Sequence, residues 1–260
     1  MLRHRVAIAA VLALGVPALA PAQDPEAEMR FGSGVRLLRD GFPEKALAEM
    51  QEALKKDPDN AFYMKGMSLA YSQLADKCKP NDSGCRNNNL KKAIESAQKA
   101  LIANPDYVDA RNDLGIALLR LGKRTEGKSE LAKAFADPQC PTPEVTAWNL
   151  GQAFYEEKEY NEAMTWFTAA LNKNKTLAAG YVSIADILTV LGQPDAAILQ
   201  LETGLKEASG NSVVHLALGE AYLKAGRYQD ARAAFEQVIK KDPAGPSGRQ
   251  AALRLKAIPQ

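Results

Sequence analysis

Reactive side chains are scarce in this chain: 260 residues hold three cysteines and two histidines. Cys78 and Cys85 stand on either side of a polar Pro/Asn/Asp/Gly stretch in ADKCKPNDSGCRNNNLKK. A turn there brings the two thiols within reach of a disulfide. Zinc needs four ligands in a tetrahedral site, and neither a histidine nor a further cysteine stands nearby, so the spacing favours the disulfide over a metal. His215 is a lone ring in a helical stretch and reads as a packing residue. Ser/His/Asp chemistry needs an oriented base within hydrogen-bond reach of a nucleophile, and no motif sets one out. The chain also lacks G-x-x-x-x-G-K-[ST], H-E-x-x-H and paired C-x-x-C. The neighbouring carboxylates Glu156 and Glu157 read as a solvated helix end. The expectation is a non-enzyme without a cofactor.

Bulk composition points the same way. Lys and Arg total 33 against 31 Asp and Glu, a net charge of +2, so no basic excess draws the chain to nucleic acid. The first 22 residues, MLRHRVAIAAVLALGVPALAPA, begin with Arg3 and Arg5 and continue through an apolar run from Val6 to Val16. Ala20 and Ala22 then take the −3 and −1 places of a small-residue cleavage site. The run is broken by Gly15 and Pro17 and falls short of the ~20 apolar residues needed to span a bilayer. We expect a cleavable secretion signal over 1–22, of the short Ala-rich bacterial kind, and hence a periplasmic destination. Residues 1–77 contain no cysteine, so no thiol is placed for an N-terminal lipid anchor. The mature chain would be neutral, with His215 its only histidine, in a compartment that permits disulfides.

The elements that must position these residues follow from an internal repeat. In the segment HLALGEAYLKAGRYQDARAAFEQVIKKDP, Leu218-Gly219, Tyr222, Gly226, Ala231, Phe235 and Pro243 fall at fixed offsets. Steps of 34 residues backwards recover Ile184-Ala185, Ala197 and Leu201, then Leu150-Gly151, Ala163, Phe167 and Ala170. After a shift of two residues come Leu114-Gly115, Leu118, Gly122, Leu131 and Ala134. Gly34, Leu37, Gly41, Ala46, Ala53 and Pro58 open the series, and Met67-Ser68, Tyr71, Ala93, Ala97, Ala100 and Pro105 form its second copy. That copy fits only with 13 extra residues, which we place in its turn around Lys77–Asn89. The units are 27–60, 61–107, 108–143, 144–177, 178–211 and 212–245, after a short segment 23–26. Residues 246–260 supply an amphipathic helix and tail that would cover the last apolar face, as stacked arrays require.

These offsets resemble the tetratricopeptide-repeat superfamily, whose pattern is L-G-x2-Y…A-x3-F…P. The resemblance implies an all-α, right-handed solenoid of six helix–turn–helix repeats with a C-terminal capping helix. Cys140 would lie in a turn between repeats and Cys78 and Cys85 in a turn within one. These turns sit on opposite edges, about 20 Å apart for ~14-residue helices, so Cys140 is expected outside the disulfide. In such repeats positions 2, 5, 9 and 12 of the first helix commonly face a concave groove. They map here onto Phe31, Val35, Leu38, Phe62, Lys65, Leu69, Asp109, Asn112, Ile116 and Leu119. In the later repeats they are Trp148, Gln152, Tyr155, Val182, Asp186, Leu216, Glu220 and Leu223. The strip is apolar with a few amides and charges. Leu69 follows Lys65 where a chaperone-tail clamp would have asparagine, so that clamp is absent. The expected occupant is an amphipathic helix or extended segment of a protein partner in the cell envelope, with Asn112, Asn149 and Gln152 bonding its backbone. More narrowly, NDLG at 112–115 and DPQCPTPEVTAWNLGQAFYEEKEYNEAMTWFTAAL at 137–171 look like the type IV pilus pilotin proteins, which assist assembly of the outer-membrane secretin. The missing N-terminal cysteine departs from that family. The alternative is a non-catalytic subunit of an envelope enzyme or cell-division complex.

Overall fold

The computed structural model describes residues 24–258; the expected secretion signal at 1–22 lies outside them. The described residues form thirteen α-helices and no strands, joined by short turns. Two compact units divide at Thr142/Pro143. The first contains α1 (Pro25–Arg39), α2 (Pro43–Lys56), α3 (Ala61–Lys77), α4 (Ser83–Ala103), α5 (Val108–Arg120) and α6 (Arg124–Ala136). The second contains α7 (Pro143–Glu156), α8 (Tyr160–Lys173), α9 (Ala178–Val190), α10 (Pro194–Glu207), α11 (Ser212–Lys224), α12 (Tyr228–Lys241) and α13 (Pro246–Lys256).

Within each unit every helix packs on the next one in sequence. Odd-numbered helices also touch the next odd-numbered helix, α1 on α3 on α5 and α7 on α9 on α11 on α13. No such contact joins the even-numbered helices within either unit. Successive hairpins therefore stack through their first helices, which make an inner row. Small residues set the spacing. A Cβ on Gly151 would lie 2.5 Å from the Phe167 ring, and one on Gly219 would lie 2.5 Å from that of Phe235. Both rings are fully buried. The last helix and the residues just after it close the second unit, with Ala251 of α13 and the following Ile258 buried beside Ala231, Ala234, Phe235 and Val238. Leu253 on the same helix is 69% exposed.

The second repeat departs from expectation. Its extra residues are not a long loop: α3 continues to Lys77 and α4 begins at Ser83, so only Cys78–Asp82 connects them. Asp82 caps α4 by accepting the Cys85 N–H at 2.8 Å. Leu90, Ala93 and Ala97 then give α4 a buried stripe that overrides the turn propensity of Asn87–Asn89. The Cys78–Cys85 disulfide joins the end of α3 to the first turn of α4, with a Cα separation of 5.9 Å. Cys140 stays outside it. His215 is half-buried, with Nε2 3.2 Å from Lys241 Nζ. Burial and that ammonium hold its pKa below the usual histidine value.

Five of the six hairpin turns share one hydrogen bond, the α3–α4 turn being the exception. The residue after a left-handed position donates to a carbonyl five residues earlier: Phe42 to Leu37, Lys123 to Leu118, Gln193 to Leu188 and Arg227 to Tyr222. Glycine holds the left-handed position in those four turns, at 41, 122, 192 and 226. The α7–α8 turn makes the same bond, Glu159 to Phe154 at 3.0 Å, but places Lys158 at φ 64°. A Cβ there costs roughly 1 kcal/mol. Lys158→Gly should therefore raise the thermal midpoint by about 2–4 °C in a circular-dichroism melt. An unchanged or lowered midpoint would show that the lysine side chain offsets the strain.

Candidate functional site

The inner row of the first unit is built around an aromatic cluster and a buried ion pair. Phe31 is buried, 4.8 Å from the Tyr63 ring and 4.9 Å from that of Phe62. It fills the space that a side chain on Gly66 would need. Leu38, Leu69 and Ile116 are also buried, whereas Val35, Phe62, Asp109, Asn112 and Leu119 are half-buried. Lys65 is only 7% exposed, and its Nζ lies 3.7 Å from Asp113 Oδ2. Burial pushes the Asp113 carboxyl above the usual aspartate range, with Lys65 opposing the shift. Asp109 is raised for the same reason. One lysine thus faces two carboxylates that have lost much of their water. Further along the same pair of helices, Arg120 of α5 donates to Asp76 and, at 3.4 Å, to the Ser72 carbonyl of α3.

The second unit ties its inner row together with polar bonds. Ser183 on α9 accepts from Trp148 Nε1 and from Gln152 Nε2, each at 3.1 Å. Trp148 is 6% exposed, so its ring chiefly packs between helices. Gln152, Tyr155, Val182, Leu216, Glu220 and Leu223 are half-buried and Asp186 is exposed. The Tyr155 hydroxyl is held above its usual pKa by burial and then by the Asp186 charge. Asn149 is 2% exposed, and neither atom of its amide has a hydrogen-bond partner. Glu220 is already engaged: its Oε1 accepts from Arg254 Nε at 3.1 Å and from Gln250 Nε2 at 3.3 Å, both on α13.

The expected strip therefore divides into accessible and packed residues. Val35, Phe62, Asn112, Gln152, Tyr155, Asp186, Leu216 and Glu220 retain exposure, while Phe31, Lys65, Leu69, Ile116, Trp148 and Asn149 are buried. Three participants were not anticipated: Asp113, Ser183 and Arg254. Asp113 precedes the Leu114-Gly115 pair, and Ser183 is the one aliphatic hydroxyl in YVSIA, flanked by Val182 and Ile184. Both carried a readable signal, a polar side chain at a helix-packing position. Among the described residues no three His, Cys, Asp or Glu side chains gather as a metal site. No helix there is long and apolar enough to cross a membrane.

Family models described as tetratricopeptide repeat match residues 86–141 and 188–257. These are tetratricopeptide repeats. The repeat solenoid covers most of the chain in comparisons with solved structures. PilW, a widely conserved type IV pilus biogenesis factor, aligns over 88% of this chain and 99% of its own, at 20% identity and a TM-score of 0.69. PilF of Pseudomonas aeruginosa aligns over 89% and 99%, at 18% identity and a TM-score of 0.66. The Cut9 and Hcn1 tetramer of the APC/C yields a TM-score of 0.62 at 19% identity, over 89% of this chain and 42% of the other. Among curated sequences, the Arabidopsis thaliana Protein CTR9 homolog is 22% identical over 84% of this chain. The probable SPINDLY N-acetylglucosaminyltransferase of Hordeum vulgare is 28% identical over 55% of it. This chain spans only 19% and 14% of those two proteins. The repeats are of a kind that serves protein–protein contact.

The Lys65–Asp113 pair offers a direct test of the first unit's inner row. Removing one member of a buried pair strands the other, whereas replacing both with apolar side chains restores balance. Lys65→Met should lower stability by about 3 kcal/mol, and adding Asp113→Leu should recover most of that loss. Additive losses in denaturant titrations would show that the two groups do not act together.

Proposed function

We propose that this protein is a non-catalytic scaffold of the bacterial cell envelope. It holds an amphipathic helix or extended segment of a partner protein against the inner row of first helices. The carrying observation is the arrangement of that row, in which apolar side chains alternate with polar groups fixed by neighbouring helices. In the second unit Gln152 spends its amide N–H on Ser183, and its carbonyl oxygen has no donor among the described residues. Tyr155 and Leu216 add half-buried apolar surface. A partner segment can cover those apolar groups and donate a backbone N–H to Gln152, the usual combination in groove recognition.

The secretion-signal pattern at 1–22 supports a periplasmic location. Near end-to-end alignment with two pilus proteins supports assembly of an envelope complex, such as the type IV pilus secretin, as the setting. The alternative, a regulatory or substrate-binding subunit of an envelope enzyme or cell-division complex, draws on the likeness to part of a probable N-acetylglucosaminyltransferase.

Affinity capture from the native envelope, read by mass spectrometry, decides between these settings. The unaltered chain should retain a secretin or another envelope assembly component. The double variant Tyr155→Ala and Gln152→Ala should lose at least tenfold of that capture with unchanged helicity, since both side chains are half-buried and neither fills a core position. Retained capture would contradict the inner row as the binding face, and recovery of an enzyme in place of an assembly component would favour the alternative.

A further inference from the structure

The helix that closes the second unit also continues its inner row. α13 touches α11 as α11 touches α9, and the 34-residue step places Gln250 and Arg254 where Leu216 and Glu220 stand one repeat earlier. These are the two α13 side chains that reach Glu220. Glu220 takes the Arg254 guanidinium by its Nε edge, at 3.1 Å. Nη1 and Nη2 then have no protein partner among the described residues, and the Arg254 side chain is 42% exposed. A guanidinium held from behind by a carboxylate, with its fork unfilled, is arranged to receive a second carboxylate through two parallel N–H bonds.

Within the second unit the surrounding charge favours that ligand at this end. Residues 143–207 carry four basic against nine acidic side chains, whereas residues 208–258 carry eight basic against four. Lys224, Arg249 and Lys256 are exposed within the basic part. An acidic side chain would be repelled over α7–α10 and attracted over α11–α13.

We infer that the partner segment is acidic at one end, and that an Asp or Glu side chain of that segment docks on Arg254. This inference rests on the groove reading above and adds to it the chemistry and register of the occupant. Glu220, at a groove position, acts as the positioning residue for Arg254.

The probe is an immobilised array of random 15-residue peptides, screened with the full mature chain and with Arg254→Gln and Arg254→Lys variants. Peptides retained by the unaltered chain should share apolar residues at helical or alternating spacing, with Asp or Glu concentrated at one end. Replacing those acids with Gln or Asn should weaken binding roughly tenfold, as expected for a charge-assisted bond. Arg254→Gln should abolish the acidic preference and keep the apolar one. Arg254→Lys, which retains charge without the fork, should keep part of it. Melting curves check that α13 stays docked. An acidic preference that survives in Arg254→Gln, or an apolar consensus without acids, overturns this inference alone. No enrichment by the unaltered chain overturns the groove reading and this inference with it.

Discussion

The structure depends on how closely the two helices of each hairpin approach. At Gly34, Gly115, Gly151 and Gly219 a single Cβ would fall within 2.5–2.9 Å of the facing side chain. The facing residues, Met50, Leu131, Phe167 and Phe235, are fully buried as a result. Each contributes about 2–3 kcal/mol of apolar burial. Because a hairpin in a stacked array touches only its neighbours, this contact must recur in every repeat for the row to persist. The row of first helices, and every side chain proposed to meet a partner, inherits its position from it.

Polar side chains then fix how successive first helices meet. In the first unit this is done by charge, with Lys65 and Arg120 linking α3 and α5. In the second unit it is done by neutral bonds, with Ser183 collecting the Trp148 and Gln152 donors. Arg254 and Glu220 repeat the device between α11 and α13. Of these groups Gln152, Glu220 and Arg254 keep exposure and are the ones a partner would meet. This double duty accounts for polar side chains at positions where an array built for stability alone would carry aliphatic ones. Asn149 is the extreme case, a buried amide with no hydrogen bond that must lower stability.

Most of the fold was legible in the sequence because the repeat is a steric code. Small residues, turn glycines and prolines recur at fixed offsets, and a local pattern repeated six times fixes the hairpins without any long-range inference. The disulfide was legible for a similar reason, since seven positions and a turn suffice to join two thiols. The second repeat's extra residues were misread because turn-forming Asn87–Asn89 outweighed the buried stripe of Leu90, Ala93 and Ala97 that follows them. The site was less legible. Position rules name the residues that point towards the inner row, but burial there is decided by the size of the neighbours. Phe31 and Trp148 sink into the packing because they meet Gly66 and Ser183, whereas Gln152 and Tyr155 keep their exposure. The capping role of α13 was legible in residues 246–260, but its polar contact was not, because Arg254 is placed by Glu220, 34 positions earlier.

The central claim is that partners meet the first helices and not the second. A photoreactive amino acid placed at single positions and irradiated in the native envelope tests it most directly. The account predicts partner crosslinks from positions 155 and 216 on α7 and α11, and none from positions 168 and 236, exposed on α8 and α12. Crosslinks from the second helices, with none from the first, would contradict it.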